Sequence, residues 1–264
     1  MSSLFDKGYQ LCEDSMFDEA IKVYEDIMDR ADEGSTEYGK AMYNSGYAYL
    51  AEGKTKEARK TFLDILDADY DEMDRGGRGS GLMGEPYALY KHNACENLAA
   101  MELNAGHFRS AFEYIRMFDK VFPYHHFCGN EWEAYYIYKA EMYAKAYCGM
   151  DDTTTALIYL FPHIFNTGLA SNEQLLQFTV SILLQQYDRS VLLDEFKTAV
   201  ENMSFKKSSG AKYASDHYTI NFLNLRIDVP EGYGLDSEAT KGKSELELRK
   251  LAAMSSDFFK ELSK

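Results

Sequence analysis

Proline is scarce in this chain, four in 264 residues, so little interrupts long helices. Tryptophan occurs once. The four cysteines, Cys12, Cys95, Cys128 and Cys148, stand far apart and form no C-x-x-C pair. That spacing offers neither a disulfide framework nor a zinc site, and a reducing cytoplasmic setting is expected. Long apolar runs are missing too. Thr155 to Phe165 comes nearest, but it is too short to span a bilayer and holds Pro162 and His163. No basic-then-apolar leader stands at Met1-Ser-Ser-Leu-Phe-Asp, and no membrane association is expected. Positive charge is in deficit: 28 Lys and Arg face 43 Asp and Glu, a net charge of −15. So acidic a surface repels phosphate backbones, so nucleic acid is not expected as a partner and a neutral or basic protein segment is favoured. The same excess also serves plain solubility.

What the chain has in quantity is apolar and aromatic. Hydrophobic residues make up 45%, enough at this length to bury a core without staples. There are 21 Tyr and 16 Phe. Tyrosine carries a rigid apolar body and a polar tip, which suits both packed helix pairs and binding faces.

The sequence repeats itself. Lys7-Gly-Tyr-Gln-Leu, followed by Phe17-Asp-Glu-Ala20 and Tyr24, is echoed by Ser45-Gly-Tyr-Ala-Tyr, followed by Thr55-Lys-Glu-Ala58 and Phe62. Each copy places a small residue at Gly8 or Gly46 and a second at Ala20 or Ala58. An aromatic follows four residues later. Apolar residues recur at helical spacing on both sides of a polar turn, Glu13-Asp-Ser-Met or Glu52-Gly-Lys-Thr. This is a helical hairpin written twice, in which small residues let two helices approach and a ring fills the space beside them. The pattern returns at Ala99, Ala111 and Ile115, with Glu102 where an aromatic would stand, and at Ala144, Tyr147, Ala156 and Leu160.

These positions resemble the tetratricopeptide repeat family. Gly46, Tyr49, Ala58 and Phe62 match its small, aromatic, small, aromatic order, and Gly8, Leu11, Ala20 and Tyr24 match it with Leu in the second place. The likeness is greatest over residues 1–70 and extends to about 165. It implies an all-α superhelix of antiparallel helix pairs and a concave groove for a partner segment. The repeats start further apart than the family's usual step of about 34 residues, so longer helices or inserted loops are expected.

Residues 1–204 are expected to form the helical repeat domain, with an acidic, glycine-rich inserted loop at 67–86. Leu175, Leu176, Thr179, Ile182 and Leu183 form one stripe of a fifth hairpin. Val191, Leu192, Phe196, Ala199, Val200 and Met203 form the other. The extension 205–264 begins with a linker, Phe205-Lys-Lys-Ser-Ser-Gly-Ala-Lys. Alternation through Tyr218, Ile220 and Phe222, then Leu225, Ile227 and Val229, predicts a short β-hairpin about Asn224. The capping box Ser244-x-x-Glu247 opens a last helix, which is expected to cap the stack.

Catalytic and metal motifs are weak by comparison. Gly79-x-Gly81-x-x-Gly84 spells a dinucleotide fingerprint, yet an acidic stretch precedes it and Glu85-Pro86 follows, so it is a loop. Asp67-x-Asp69-x-Asp71 begins like a calcium loop, but the sixth position is Glu72 and the twelfth Arg78. His125-His126-Phe-Cys128-Gly-Asn-Glu131 is the densest group of potential ligands, without a second group to complete a site. No catalytic residue, metal or cofactor is expected.

A partner-binding protein remains: an adaptor, regulator or scaffold. Helical phase places Phe5, Tyr9 and Cys12 on its groove face, followed by Tyr43, Asn44 and Tyr47. Asn93, Glu96 and Asn97 follow, then Tyr138, Glu141 and Lys145. Tyrosines and side-chain amides can bond an extended backbone, although some of the tyrosines could only fill the space between hairpins. In one tetratricopeptide subfamily a cationic clamp holds acidic C-terminal tails. Only Asn44 agrees with it here, so that role is not implied. Two other readings stand beside the partner-binding one. One is an acidic, immunity-type inhibitor of a basic toxin or nuclease, suggested by the charge. The other is a metal-dependent enzyme using the His125–Glu131 cluster.

Overall fold

The computed structural model describes residues 2–68, 87–121, 129–165, 173–206, 217–229 and 240–264. The chain forms two compact units, Met1–Phe127 and Cys128–Lys264. The division falls within the stretch expected as one repeat domain.

The first unit is three helical hairpins in series. They are α1 (Ser2–Glu13) with α2 (Phe17–Arg30), α3 (Thr36–Ala51) with α4 (Thr55–Asp67), and α5 (Tyr87–Asn104) with α6 (Phe108–Val121). Within each pair the helices pack antiparallel, and α2 packs on α3 and α4 on α5 to join successive pairs. The second unit opens with a fourth hairpin, α7 (Gly129–Gly149) and α8 (Thr153–Leu160). A fifth follows, α9 (Glu173–Gln186) and α10 (Arg189–Glu201).

The repeated small residues do what the spacing predicts. Ala20, Ala58, Ala99, Ala111, Ala144 and Ala156 have no exposed surface, and Gly8 and Gly46 are buried. A Cβ on Gly8 would lie 2.5 Å from Cε1 of Tyr24, and one on Gly46 would lie 2.7 Å from Cε1 of Phe62. The ring of the second helix therefore rests directly on the backbone of the first. Ala20, Tyr24 and Ile27 continue this layer in the first hairpin. Between the second and third hairpins, Phe62 and Ile65 meet Tyr90, Ala94 and Leu98. Each large apolar side chain buried this way stabilises the fold by about 1.5–3 kcal/mol.

The turns of the first four hairpins share one geometry. Ser15, Gly53, Gly106 and Asp151 stand at the same repeat position, and all have positive φ, between 59° and 83°. In each turn the next residue donates its amide to the carbonyl five residues back: Met16 to Leu11, Lys54 to Tyr49, His107 to Glu102, and Asp152 to Tyr147. This left-handed closure satisfies carbonyls that the helix end leaves open. Glycine suits it; Ser15 occupies it against steric preference. Ser15→Gly should therefore raise the stability of the first unit by about 1 kcal/mol in urea unfolding. A neutral or destabilising result would show that its side chain has a use there.

In the second unit the predicted β-hairpin forms. β2 (His217–Phe222) pairs antiparallel with β3 (Leu225–Val229), with Phe222 opposite Leu225 and Ile220 opposite Ile227. Leu223 and Asn224 turn the chain with φ of 51° and 65°, as a tight right-twisted hairpin requires. The expected linker is corrected at its start: β1 (Ser204–Lys206) pairs with β2 and makes a third strand. Ser204 Oγ lies 2.8 Å from Thr219 Oγ1 beside that pairing.

The last helix is also corrected. It is two, α11 (Glu245–Ser255) and α12 (Asp257–Ser263), because Ser256 has an extended backbone and accepts from the Phe259 amide as a new N-cap. The capping box at α11 is complete, with Ser244 accepting from the Glu247 amide and Glu247 accepting from the Ser244 amide. The Ser244 hydroxyl, donating to Glu247 Oε2 at 2.6 Å, and after it the Ser244 amide hold the Glu247 carboxyl below its ordinary range. That contribution is present at neutral pH and lost as acid protonates the group. α12 packs on α9 and α10, as the expected cap would. Phe196 of α10 is at the centre of this core, its ring 5.4 Å from Phe222 and 5.5 Å from Phe258. Val191, expected in the α10 stripe, is instead 47% exposed at the start of the helix.

Candidate partner-binding face

The face shared by α1, α3 and α5 in the first unit carries most of the expected groove residues. Two tyrosines stand out from it, Tyr9 at 39% exposure and Tyr47 at 53%. Tyr43, Asn44, Asn93, Glu96, Asn97 and Cys12 are half-buried. Phe5 is buried beneath the surface: its ring stacks on Tyr9 at 6.3 Å, tilts against Tyr24 at 6.5 Å, and is covered by the Lys40 ammonium at 5.4 Å. Tyr138 and Glu141 lie on α7 in the second unit, both half-buried, with Glu141 paired to Lys145 at 2.6 Å.

Side-chain ties link the three helices. Asn44 Nδ2 donates to the Tyr9 hydroxyl at 3.3 Å, joining α3 to α1. Asn97 Nδ2 donates to the Tyr43 hydroxyl at 3.2 Å, joining α5 to α3, and to the Asn93 carbonyl at 2.8 Å. Asn97 thus uses both amide protons internally and keeps its Oδ1 as an acceptor. Each tyrosine hydroxyl accepts from an amide and keeps its own proton to donate. The result is a set of alternating donors and acceptors with fixed positions. Tyr43 is held by more than its hydroxyl. Its ring lies 6.0 Å from Phe62 and 6.1 Å from Tyr90, and burial raises its pKa above the ordinary phenol range. It stays a neutral donor at physiological pH.

Below the face, Tyr24 places its hydroxyl 3.8 Å from Cys12 Sγ, and burial pushes that phenol far up. Cys95 donates to the Tyr114 carbonyl at 3.1 Å. Burial pushes its thiol up to about 12, so it is protonated at neutral pH and a poor nucleophile.

The third hairpin has a feature the sequence marked only by its odd residue. Glu102, in the place taken by Leu11 and Tyr49 in the first two hairpins, is 2% exposed. Its Oε1 pairs with Arg59 of α4, and its Oε2 lies 3.0 Å from His107 Nδ1. A buried carboxylate thus joins the second hairpin to the third.

His125–Cys128 and residues 69–86 lie outside the described residues, and of 129–131 only the helical backbone is described. Among the described residues no group of three or more His, Cys, Asp or Glu could hold a metal, and no helix is long and apolar enough to cross a membrane. Against protein-family models, curated proteins and solved structures the chain finds no match.

Proposed function

We propose that this chain is a non-catalytic protein–protein interaction module of tetratricopeptide type, and that the α1/α3/α5 face takes up an extended segment of a neutral or basic partner. The supporting observation is the pair of ties, Asn44 to Tyr9 and Asn97 to Tyr43, which leave tyrosine protons and an amide oxygen available beside two exposed rings. Polar groups fixed before binding lose little freedom on contact, and tyrosine rings add apolar area at low entropic cost. The net charge of −15 disfavours an acidic partner.

The test uses the full chain with a photo-crosslinking residue at position 47 or, as a control, at exposed position 22. Position 47 is expected to capture a defined partner. Tyr47→Ala should weaken its binding by about tenfold or more, the usual loss for an aromatic hot spot. Tyr43→Phe removes a hydroxyl but keeps the packed ring, and a smaller loss is expected. A partner that cross-links at 22 and not at 47, with unchanged affinity in both variants, would refute the assignment.

A further inference from the structure

Resting on that reading, we infer that Tyr9 and Tyr47 form an arginine-selective surface: the partner segment is an extended peptide whose guanidinium groups stack on these two rings. The two exposed tyrosines lie on neighbouring helices, and Asn44, three residues before Tyr47, bonds the Tyr9 hydroxyl between them. Asp6 and Glu13 stand three residues before and four after Tyr9, which puts both on its side of α1. Both are exposed, and neither joins an ion pair among the described residues. A guanidinium lying flat on the Tyr9 ring can therefore also bond a carboxylate edge-on, which a compact ammonium cannot do in the same plane.

The protein already holds cations against rings. Lys40 sits over Phe5 directly below this face, Arg116 lies over Phe112 and Arg249 over Tyr218. Charge points the same way: residues 2–33 contain ten carboxylates and three Lys or Arg. At the typical spacing of packed helices, about 9 Å, three helices would be crossed by roughly 20 Å of peptide, about six extended residues.

The experiment is fluorescence anisotropy of the full chain with labelled peptides of about eight residues, alternating arginine and alanine, lysine and alanine, or glutamate and alanine. The arginine peptide is expected to bind about three- to tenfold more tightly than the lysine peptide, and the glutamate peptide not to bind. Tyr47→Leu keeps an apolar side chain at an exposed position and should erase the arginine preference, as should Asp6→Asn combined with Glu13→Gln. Equal binding of the arginine and lysine peptides, unchanged in these variants, would overturn the inference and leave only attraction by net charge. A natural partner cross-linked at position 47 but lacking arginine would overturn it alone; cross-linking elsewhere would also remove the proposed face.

Discussion

Phe62→Ala is expected to destabilise the first unit by about 3–5 kcal/mol, a large share of the roughly 5–15 kcal/mol that holds a typical domain folded. The ring has no exposed surface, packs against Tyr43 at 6.0 Å, and lies over the backbone at Gly46. Its removal leaves a cavity between two hairpins, which a helix pair cannot close without sliding. Gly46→Ala approaches the same contact from the other side, and here two effects oppose each other. Alanine in a helix interior gains up to about 1 kcal/mol over glycine. Its Cβ, however, would meet Phe62 Cε1 at 2.7 Å, and overfilling a packed contact costs about 1–3 kcal/mol. The steric cost is expected to win, because the ring is enclosed and has nowhere to move. Phe62→Leu should recover part of the loss when added to Gly46→Ala, since a smaller side chain leaves room for the methyl. Additive effects in urea unfolding would mean that the two positions do not meet.

That contact was legible in the sequence because it is local. Gly8 with Ala20 and Tyr24, and Gly46 with Ala58 and Phe62, all lie inside one hairpin, where helical spacing alone fixes which residues face each other. The shared left-handed turn was half legible. Gly53 announces it; Ser15 and Asp151 adopt it only because the packed helices on each side leave no other closure. Features made by distant pairing were not legible. β1 is three residues of a polar stretch, with Phe205 half-exposed, and it becomes a strand only by pairing with β2. The break at Ser256 is hidden in an apolar stripe that runs through Leu251, Phe258 and Leu262 as if one helix carried it.

The candidate site divides along the same line. Helical phase placed Tyr9, Tyr43, Asn44, Tyr47, Asn93 and Asn97 on α1, α3 and α5, but could not separate surface from the layer beneath it. Phe5 fell beneath because Tyr9 and the Lys40 chain cover it. The ties from Asn44 to Tyr9 and from Asn97 to Tyr43 join different hairpins, and no periodicity encodes them.

Arg59→Ala is expected to cost about 1–3 kcal/mol, although arginine on a helix surface usually contributes little. The reason is the partner. Glu102 is 2% exposed, and without Arg59 it keeps one neighbour, His107 Nδ1 at 3.0 Å, to offset the loss of water around a buried carboxylate. The guanidinium side chain itself is 41% exposed, so the effect should fall below that of breaking a fully enclosed pair. Glu102→Leu makes the decisive comparison. Leu11 occupies the same position in the first hairpin, so an aliphatic side chain fits the site, and replacing a buried ionic group by a well-packed apolar one is often neutral or better. That variant is expected to change stability by less than about 1 kcal/mol, and Arg59→Ala made within it should cost under about 0.5 kcal/mol. The pair would then serve to fix the register in which the third hairpin docks on the second, since a buried carboxylate is tolerated only where the cation meets it. If Arg59→Ala costs the same in both backgrounds, Arg59 acts through its packing and the ion pair sets nothing.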